Sequence, residues 1–190
     1  MEVTTPDQPI ESGWALARDL PRDRKIAVAA ASGVLAVACF IRFGFSGRAV
    51  VDAIFAATLV LLTAIDLERR LIPNVIVLPA TGLVLALQIV LFPNHTLEWL
   101  LWSLGAALFF FIPALIFPAG MGMGDVKLAA LLGAALGKSV VAAILVAVLS
   151  AAVVSLVILA REGLGARRKA IPYGPFLAFG GVAVMLLGGR

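Results

Sequence analysis

The chain has 190 residues, of which 62% are hydrophobic and 14% are charged, and its mean hydropathy is +1.09. A soluble domain of this size could not bury so much apolar surface, so we expect lipid to be its main solvent. The formal charge is +4, but the basic residues flank hydrophobic segments instead of forming one long patch, which indicates membrane topology and argues against nucleic-acid binding.

Residues 1–25 are polar, and we expect them to form a cytoplasmic tail or a short interfacial helix ahead of a transmembrane domain at residues 26–190. A cleaved signal peptide would have a shorter basic start and a small-residue cleavage site, so the first hydrophobic span is expected to be retained. The single cysteine, Cys39, lies in that span, where we expect simple packing. One cysteine excludes an internal disulfide and a zinc site built from several cysteines.

Seven apolar runs follow, and together they predict an all-α fold, a polytopic membrane bundle of about six to seven transmembrane segments. A span needs about 20 apolar residues, so most of the runs qualify. The fifth run is too short to cross a bilayer alone at about 1.5 Å per residue. The runs cover residues 26–43, 49–65, 73–92, 97–117, 125–136, 139–160 and 175–187.

The distribution of basic residues predicts a cytoplasmic N-terminus. In that orientation only four of the 15 Lys and Arg residues fall on the far side of the membrane, namely Arg42, Arg48, Lys138 and Arg190. The others lie in cytoplasmic segments, as the positive-inside rule requires.

Acidic residues near the hydrocarbon core are costly and usually mark function. Asp66 ends the second run in AIDLERRLIPN, and Asp125 opens the fifth run in GMGMGDVKL, so the predicted topology brings both to the cytoplasmic edge. Asp52 lies about 21 Å from Asp66 along the same helix and cannot share its site. We expect Glu68 to be interfacial, with Arg69 or Arg70 in reach, and Glu98 to suit the start of the fourth span.

Two carboxylates that share a site can hydrolyse a peptide bond without a metal. One stays charged and acts as general base toward water, while the other keeps its proton and polarises the scissile carbonyl. The alternative is that each aspartate merely caps a helix or pairs with Arg69 or Lys127. Spacing alone leaves both interpretations open.

Three alternating glycines before Asp125 favour a site. Gly120, Gly122 and Gly124 allow a neighbouring helix or a bound extended peptide to come close, and they can adopt positive φ without penalty. A flexible loop ahead of a helix is the alternative.

At these residues the chain resembles the type IV prepilin peptidases, which are membrane aspartic proteases with a GxGD motif. The matching stretches, in the family's order and approximate spacing, are IDLERRLIPN around Asp66, GMGMGDVKLAALLGAALG around Asp125, and IPYGPFLAFGG near the C-terminus. The resemblance implies that Asp66 and Asp125 are the catalytic pair, with no metal or other cofactor. They would cleave the basic leader from prepilins or pseudopilins at the cytoplasmic face of the bacterial inner membrane. The leader would end in glycine, and the bundle would accept the hydrophobic helix that follows it laterally from lipid.

The same resemblance points to residues that would bind the substrate or shape the site. Asn74 would hydrogen-bond near the carboxyls, and Lys127 would orient the site. Pro73 is expected to be the first helical residue of the third span. The full set is Gly122, Gly124, Lys127, Pro73, Asn74, Tyr173 and Gly174.

One departure from the family concerns cysteine. Many bifunctional members carry a cytoplasmic domain with paired CxxC motifs and also methylate the new N-terminus, whereas this sequence has one cysteine. N-methylation is therefore not expected, and the layout resembles the short, peptidase-only branch. The GMGMGD and IPYGPF motifs are similar to the long form, so the branch stays open.

Two other functions fit a membrane bundle. A small ion- or proton-coupled transporter could use Asp66 and Asp125 as a relay, although the chain has no internal repeat and both acids lie near one face. A non-catalytic assembly factor would need neither acid. Gly133 and Gly137 form a G-x-x-x-G pair that favours close helix packing and would allow a homodimer.

Overall fold

The computed structural model describes residues 13–116, 122–162 and 172–187, and the regular elements in these ranges are all helices, as predicted. Short 3₁₀ turns at Pro93–His95 and Gly137–Ser139 precede the fifth and seventh helices. The helices are α1 (Gly13–Arg18), α2 (Arg22–Phe43), α3 (Gly47–Arg69), α4 (Asn74–Leu91), α5 (Thr96–Ile116), α6 (Met123–Leu136), α7 (Val140–Glu162) and α8 (Gly174–Leu187).

Helix length and composition confirm a polytopic membrane bundle. Within the described ranges, five helical stretches are long and apolar enough to cross a membrane, and α8 is a shorter apolar helix. Each of the seven predicted runs coincides with a helix from α2 to α8, but α6 and α7 follow each other through a 3₁₀ turn and form one stretch. The five stretches are Arg22–Phe43, Gly47–Arg69, Asn74–Leu91, Pro93–Ile116 and Met123–Arg161.

The connection between α3 and α4 is short and sharply bent. Arg70 adopts the left-handed conformation, with φ 51° and ψ 41°, and its amide donates to the carbonyl of Asp66, which ends α3 one turn after that aspartate. Pro73 precedes α4 as its N-cap, with an extended backbone at ψ 127°. The prediction that Pro73 is the first helical residue was therefore wrong by one position. Its carbonyl accepts hydrogen bonds from the amides of Ile76 and Val77, so Pro73 caps the start of α4 without being a helical residue itself.

Helix α6 lies at the centre of the bundle and packs against α4, α5 and α8. Residues 131–137 are all buried. Asp125 lies in the first turn of α6, and Leu136, at the other end, lines a cavity of about 190 Å³ with Arg48 and His95. With 14 residues, α6 is about 21 Å long, and it extends from one of these ends to the other. A helix this short can do so because other helices, rather than lipid, surround it.

Close contact between α5 and α6 depends on Gly133. A Cβ at this position would lie 2.3 Å from the carbonyl oxygen of Trp102 and 2.7 Å from the Cα of Ser103. The Ser103 hydroxyl donates to the carbonyl of Ala130 at 3.0 Å, and the Trp99 ring covers Gly137. The G-x-x-x-G pair is therefore used inside the chain, and this face is not available for a homodimer.

Replacing Gly133 with alanine is expected to lower the free energy of unfolding by about 1–3 kcal/mol, because the methyl group would meet backbone rather than a movable side chain. Denaturant unfolding in detergent micelles would measure the change. Gly105→Ala on α5 is the matched control, since nothing lies within 4 Å of a Cβ there. That control should be neutral or stabilising by up to about 1 kcal/mol. Equal stability of the two variants would contradict the proposed close contact.

Candidate active site

The Asp66 carboxyl lies in the last turn of α3 and is 6% exposed. Gly174, the first residue of α8, lies directly against it, and a Cβ at Gly174 would be 2.6 Å from Asp66 Oδ2. The backbone amide of Gly174 faces the carboxyl. A residue without a side chain thus lets the start of α8 bring a backbone donor to Asp66.

Asp125 comes to the same place from the first turn of α6. Its amide donates to the carbonyl of Gly122 at 3.1 Å, and the amide of Gly122 faces its carboxyl. The two aspartates interact electrostatically, and both line one cavity of about 380 Å³. The fold therefore brings together two carboxyls that belong to separate helices.

The other predicted residues at the starts of α4 and α6, including the residue before each helix, line this cavity too. Pro73, Asn74, Gly122, Gly124 and Lys127 all contribute to its wall. Lys127 Nζ donates to Asn74 Oδ1 at 2.5 Å, which ties the start of α6 to the start of α4. The lysine is thus held by an amide at the cavity that the two carboxyls line.

The two described glycines of the GMGMGD stretch differ in their surroundings. A Cβ at Gly124 would lie 2.9 Å from the Cβ of Ile72, so this glycine allows α6 to approach the α3–α4 connection. A Cβ at Gly122 would come no closer than 3.7 Å to Asp125 Oδ2, which is an ordinary contact. Gly120 lies outside the described residues.

Tyr173 precedes α8 and is half-buried. Its ring packs near those of Phe110 and Phe176, with centroid distances of 6.1 and 6.4 Å. Burial raises the pKa of the Tyr173 hydroxyl, and the charge of Asp125 raises it further. The hydroxyl therefore stays protonated at neutral pH and can donate a hydrogen bond close to Asp125.

Sequence reasoning missed several residues of this site. Arg70, Leu71 and Ile72 line the cavity, and Ile72 contacts the positions of both Gly124 and Gly174. All three lie inside IDLERRLIPN, but no charge or spacing pattern marked them out. Phe110, whose ring packs near that of Tyr173, lies in the FFF run of α5, where nothing in the sequence distinguishes a buried ring from a lipid-facing one.

Acidic residues judged to lie outside the site are indeed elsewhere. Asp52 is fully buried beside Arg48, with 3.7 Å between Arg48 Nε and Asp52 Oδ2. Glu68 forms an ion pair with Arg24 of α2 at 3.1 Å, a partner on another helix that the sequence did not indicate. Glu98 lies in the first turn of α5, as predicted, 3.1 Å from the His95 ring.

The arrangement has the parts that acid–base hydrolysis requires. Two carboxyls at one cavity can divide the roles of general base and general acid, and Lys127 lines the same cavity. The charge of Asp125 acts on the hydroxyl of Tyr173, which can donate a hydrogen bond. Among the described residues, no three His, Cys, Asp or Glu side chains group in a way that could hold a metal ion.

Comparisons with known proteins agree with the sequence motifs. The model of the type IV leader peptidase family matches residues 53–160. The prepilin leader peptidase/N-methyltransferase of Burkholderia pseudomallei is 31% identical over 163 residues, which cover 83% of this chain and 53% of that protein. The proteins of the same name from Bacillus subtilis and Pseudomonas aeruginosa are 31% and 30% identical, over 81% and 77% of this chain and 62% and 52% of their own lengths. The chain thus spans little more than half the length of these relatives, and no solved structure matches it significantly.

Proposed function

Because the chain belongs to the type IV leader peptidase family, we propose that it is a membrane-embedded aspartic endopeptidase that removes the basic leader from type IV prepilins or pseudopilins. The observation that carries this proposal is the position of Asp66 and Asp125, which line one cavity from two separate helices. Asp66 lies in the segment IDLERRLIPN and Asp125 in GMGMGD, the stretches on which the family resemblance rests.

Hydrolysis would begin with one aspartate taking a proton from water while the other, still protonated, donates to the scissile carbonyl oxygen. The hydroxide equivalent adds to the carbonyl carbon, and the C–N bond then breaks as the amine leaves with a proton from the dyad. The Tyr173 hydroxyl and the bonded Lys127–Asn74 pair would position the peptide. Gly174 would supply a backbone amide beside Asp66.

The substrate's location follows from charge. Arg24, Arg70 and Lys127 lie at the Asp66 end of the bundle, which supports a cytoplasmic N-terminus and a site at the cytoplasmic face of the inner membrane. A basic leader stays on that side of the membrane by the same rule. The leader and the two carboxyls would then be level with each other.

The proposed reaction ends at cleavage, without N-methylation. This sequence has one cysteine, Cys39, buried in α2, and therefore contains no CxxC pair. A homodimer stays a prediction. If it forms, it would use a face other than the one that holds Gly133.

The rival function, a transporter, has less support. The relatives are named as peptidases, and the two carboxyls lie at one end of the bundle rather than at its midplane. An assembly factor without enzymatic activity would not need a carboxyl pair at one cavity.

Reconstitution tests the proposal. The full chain, in vesicles with a prepilin that carries a basic leader, should release the leader, and mass spectrometry should find the new N-terminus unmethylated even with a methyl donor present. Vesicles that contain the prepilin alone are the control. An intact prepilin would contradict the peptidase, and a chain-dependent ion or proton flux would favour the transporter instead.

A further inference from the structure

Two apolar grooves lie on the sides of the bundle. The first, the α3–α8 groove, has a volume of about 270 Å³, and its walls include Leu59, Val60, Thr63, Pro175, Ala178 and Val182. The second, the α5–α7 groove, has a volume of about 410 Å³. They differ in where they lie relative to the two carboxyls.

On helix α3 the first groove begins one turn from Asp66. Thr63 lies three residues before Asp66, and Leu59 lies seven residues before it. These spacings correspond to about 4.5 and 10.5 Å along the helix axis. Residues at these spacings share one face of a helix. The groove thus lies on the same face of α3 as the Asp66 carboxyl.

On helix α8 the groove begins beside the same carboxyl. Pro175 follows Gly174, where an added Cβ would lie 2.6 Å from Asp66 Oδ2, and Val182 is eight residues beyond Gly174, or about 12 Å. The groove therefore extends for about two helical turns from the carboxyl into the apolar part of the bundle. Phe179, at 58% exposed, forms an outer wall, and Ala178, at 6%, lies deeper.

The α5–α7 groove is larger, and its walls run along α5 from Trp102 to Phe109 and along the first part of α7. Its α7 side comes from Val140, Ile144 and Val148, in the first turns of that helix. Helix α7 starts near Lys138, which lines the distant cavity with Arg48. On the α5 side the groove reaches Phe109, whose ring packs near Phe110, and Phe110 in turn packs near Tyr173. None of its wall residues is in contact with Asp66 or next in sequence to a residue that is.

We propose that the α3–α8 groove binds the apolar helix of the prepilin, starting at the residue that follows the scissile bond. The proposal rests on the proposed function. A substrate whose apolar helix begins at the cleaved bond needs an apolar surface that begins at the carboxyls. The α3–α8 groove starts at Thr63 and Pro175, within one helical turn of Asp66 on α3 and directly after Gly174 on α8. Its length would hold about seven or eight residues of helix.

Packing, rather than transfer from water, would have to hold the substrate helix there. Lipid tails are as apolar as the helix, so helices associate in a bilayer through van der Waals fit against small residues. The groove has a fixed shape because α8 is packed tightly on its neighbours: a Cβ at Gly180 would be 2.2 Å from the carbonyl oxygen of Ala143, and one at Gly181 would be 3.1 Å from Leu59. A bulky side chain in the groove would therefore exclude the substrate.

The test compares two substrates and two variants. Val182→Trp fills the α3–α8 groove, and Leu145→Trp, at a 56% exposed position of the α5–α7 groove, is the matched control. One substrate is the whole prepilin, and the other is a short peptide that holds the leader and the scissile bond but lacks the apolar helix. Val182→Trp should lower kcat/KM for the prepilin about tenfold and leave that for the peptide within about twofold. Leu145→Trp should change neither.

The other outcomes overturn the proposal in different ways. An equal loss on both substrates would mean that the variant disturbs the carboxyls. Unchanged prepilin cleavage would mean that lipid occupies the groove, and a loss with Leu145→Trp alone would assign the helix to the other groove. Failure of the proposed function is distinct, because the unmodified chain would then cleave neither substrate.

Cross-linking gives a second measurement that does not depend on rate. In a Cys39→Ala background, Val182→Cys should form a disulfide with a cysteine placed about eight residues after the scissile bond of the prepilin. Asp66→Asn in the same chain would keep the substrate intact. Leu145→Cys should not form the cross-link, and the reverse pattern would overturn the proposal.

Discussion

Asp66→Asn and Asp125→Asn are each expected to reduce leader cleavage by at least about 10³-fold. An asparagine side chain keeps the size of the carboxyl but can neither take a proton from water nor donate one to the leaving amine. Because the proposed reaction divides these tasks between two carboxyls at one cavity, either substitution should stop it. The measurement is the fraction of prepilin converted to mature pilin at equal amounts of inserted enzyme.

The control for this prediction is Glu98→Gln. Glu98 lies at the opposite end of the bundle, beside His95, and its loss should leave cleavage unchanged. A metal chelator should also have little effect on the unmodified chain, and strong inhibition would indicate a metallopeptidase. Full cleavage by either aspartate variant would rule out the dyad.

Gly174→Ala is expected to lower kcat about 100-fold while the chain still folds. The added Cβ would lie 2.6 Å from Asp66 Oδ2, so either the carboxyl or the start of α8 must move. A displacement of about 1 Å at a reacting group can cost about 10²-fold in rate. Steady-state kinetics on a short leader peptide, together with the unfolding midpoint, would separate a moved carboxyl from a lost fold.

Gly82→Ala is the matched control for that substitution. Nothing lies within 4 Å of a Cβ at Gly82, in the middle of α4, so this variant should retain both activity and stability. If Gly174→Ala were as active as Gly82→Ala, the contact between α8 and Asp66 would have no part in catalysis.

Hydropathy and charge were sufficient to predict the helices and to predict which residues lie at the same end of the bundle. The apolar runs coincide with α2 to α8 because a bilayer requires long uninterrupted apolar segments, which a single sequence displays directly. The short run that begins at Asp125 was correctly singled out. Its explanation, enclosure by other helices, depends on packing that the sequence does not display.

The site was predictable only in part, for a similar reason. The topology could bring Asp66 and Asp125 to the same edge of the membrane, and motif resemblance could suggest their neighbours. The contact of Gly174 with Asp66, and that of Gly124 with Ile72, join segments far apart in sequence and depend on how helices pack. The same is true of the Arg24–Glu68 ion pair, since Glu68 had closer candidate partners along the chain in Arg69 and Arg70.

The short length of α6 affects how water, which is a reactant in hydrolysis, reaches the carboxyls. A polar cavity lies at each end of α6, one with Asp125 and the other with Arg48 and Lys138, so the apolar path between the cavities is only about 21 Å. The hydrocarbon core of a bilayer is about 30 Å thick. Because other helices surround α6, the two polar cavities at its ends lie inside the bundle and closer together than the two surfaces of the hydrocarbon core. The surrounding helices thus let water approach Asp125 through the cavity that this carboxyl lines, without crossing the lipid.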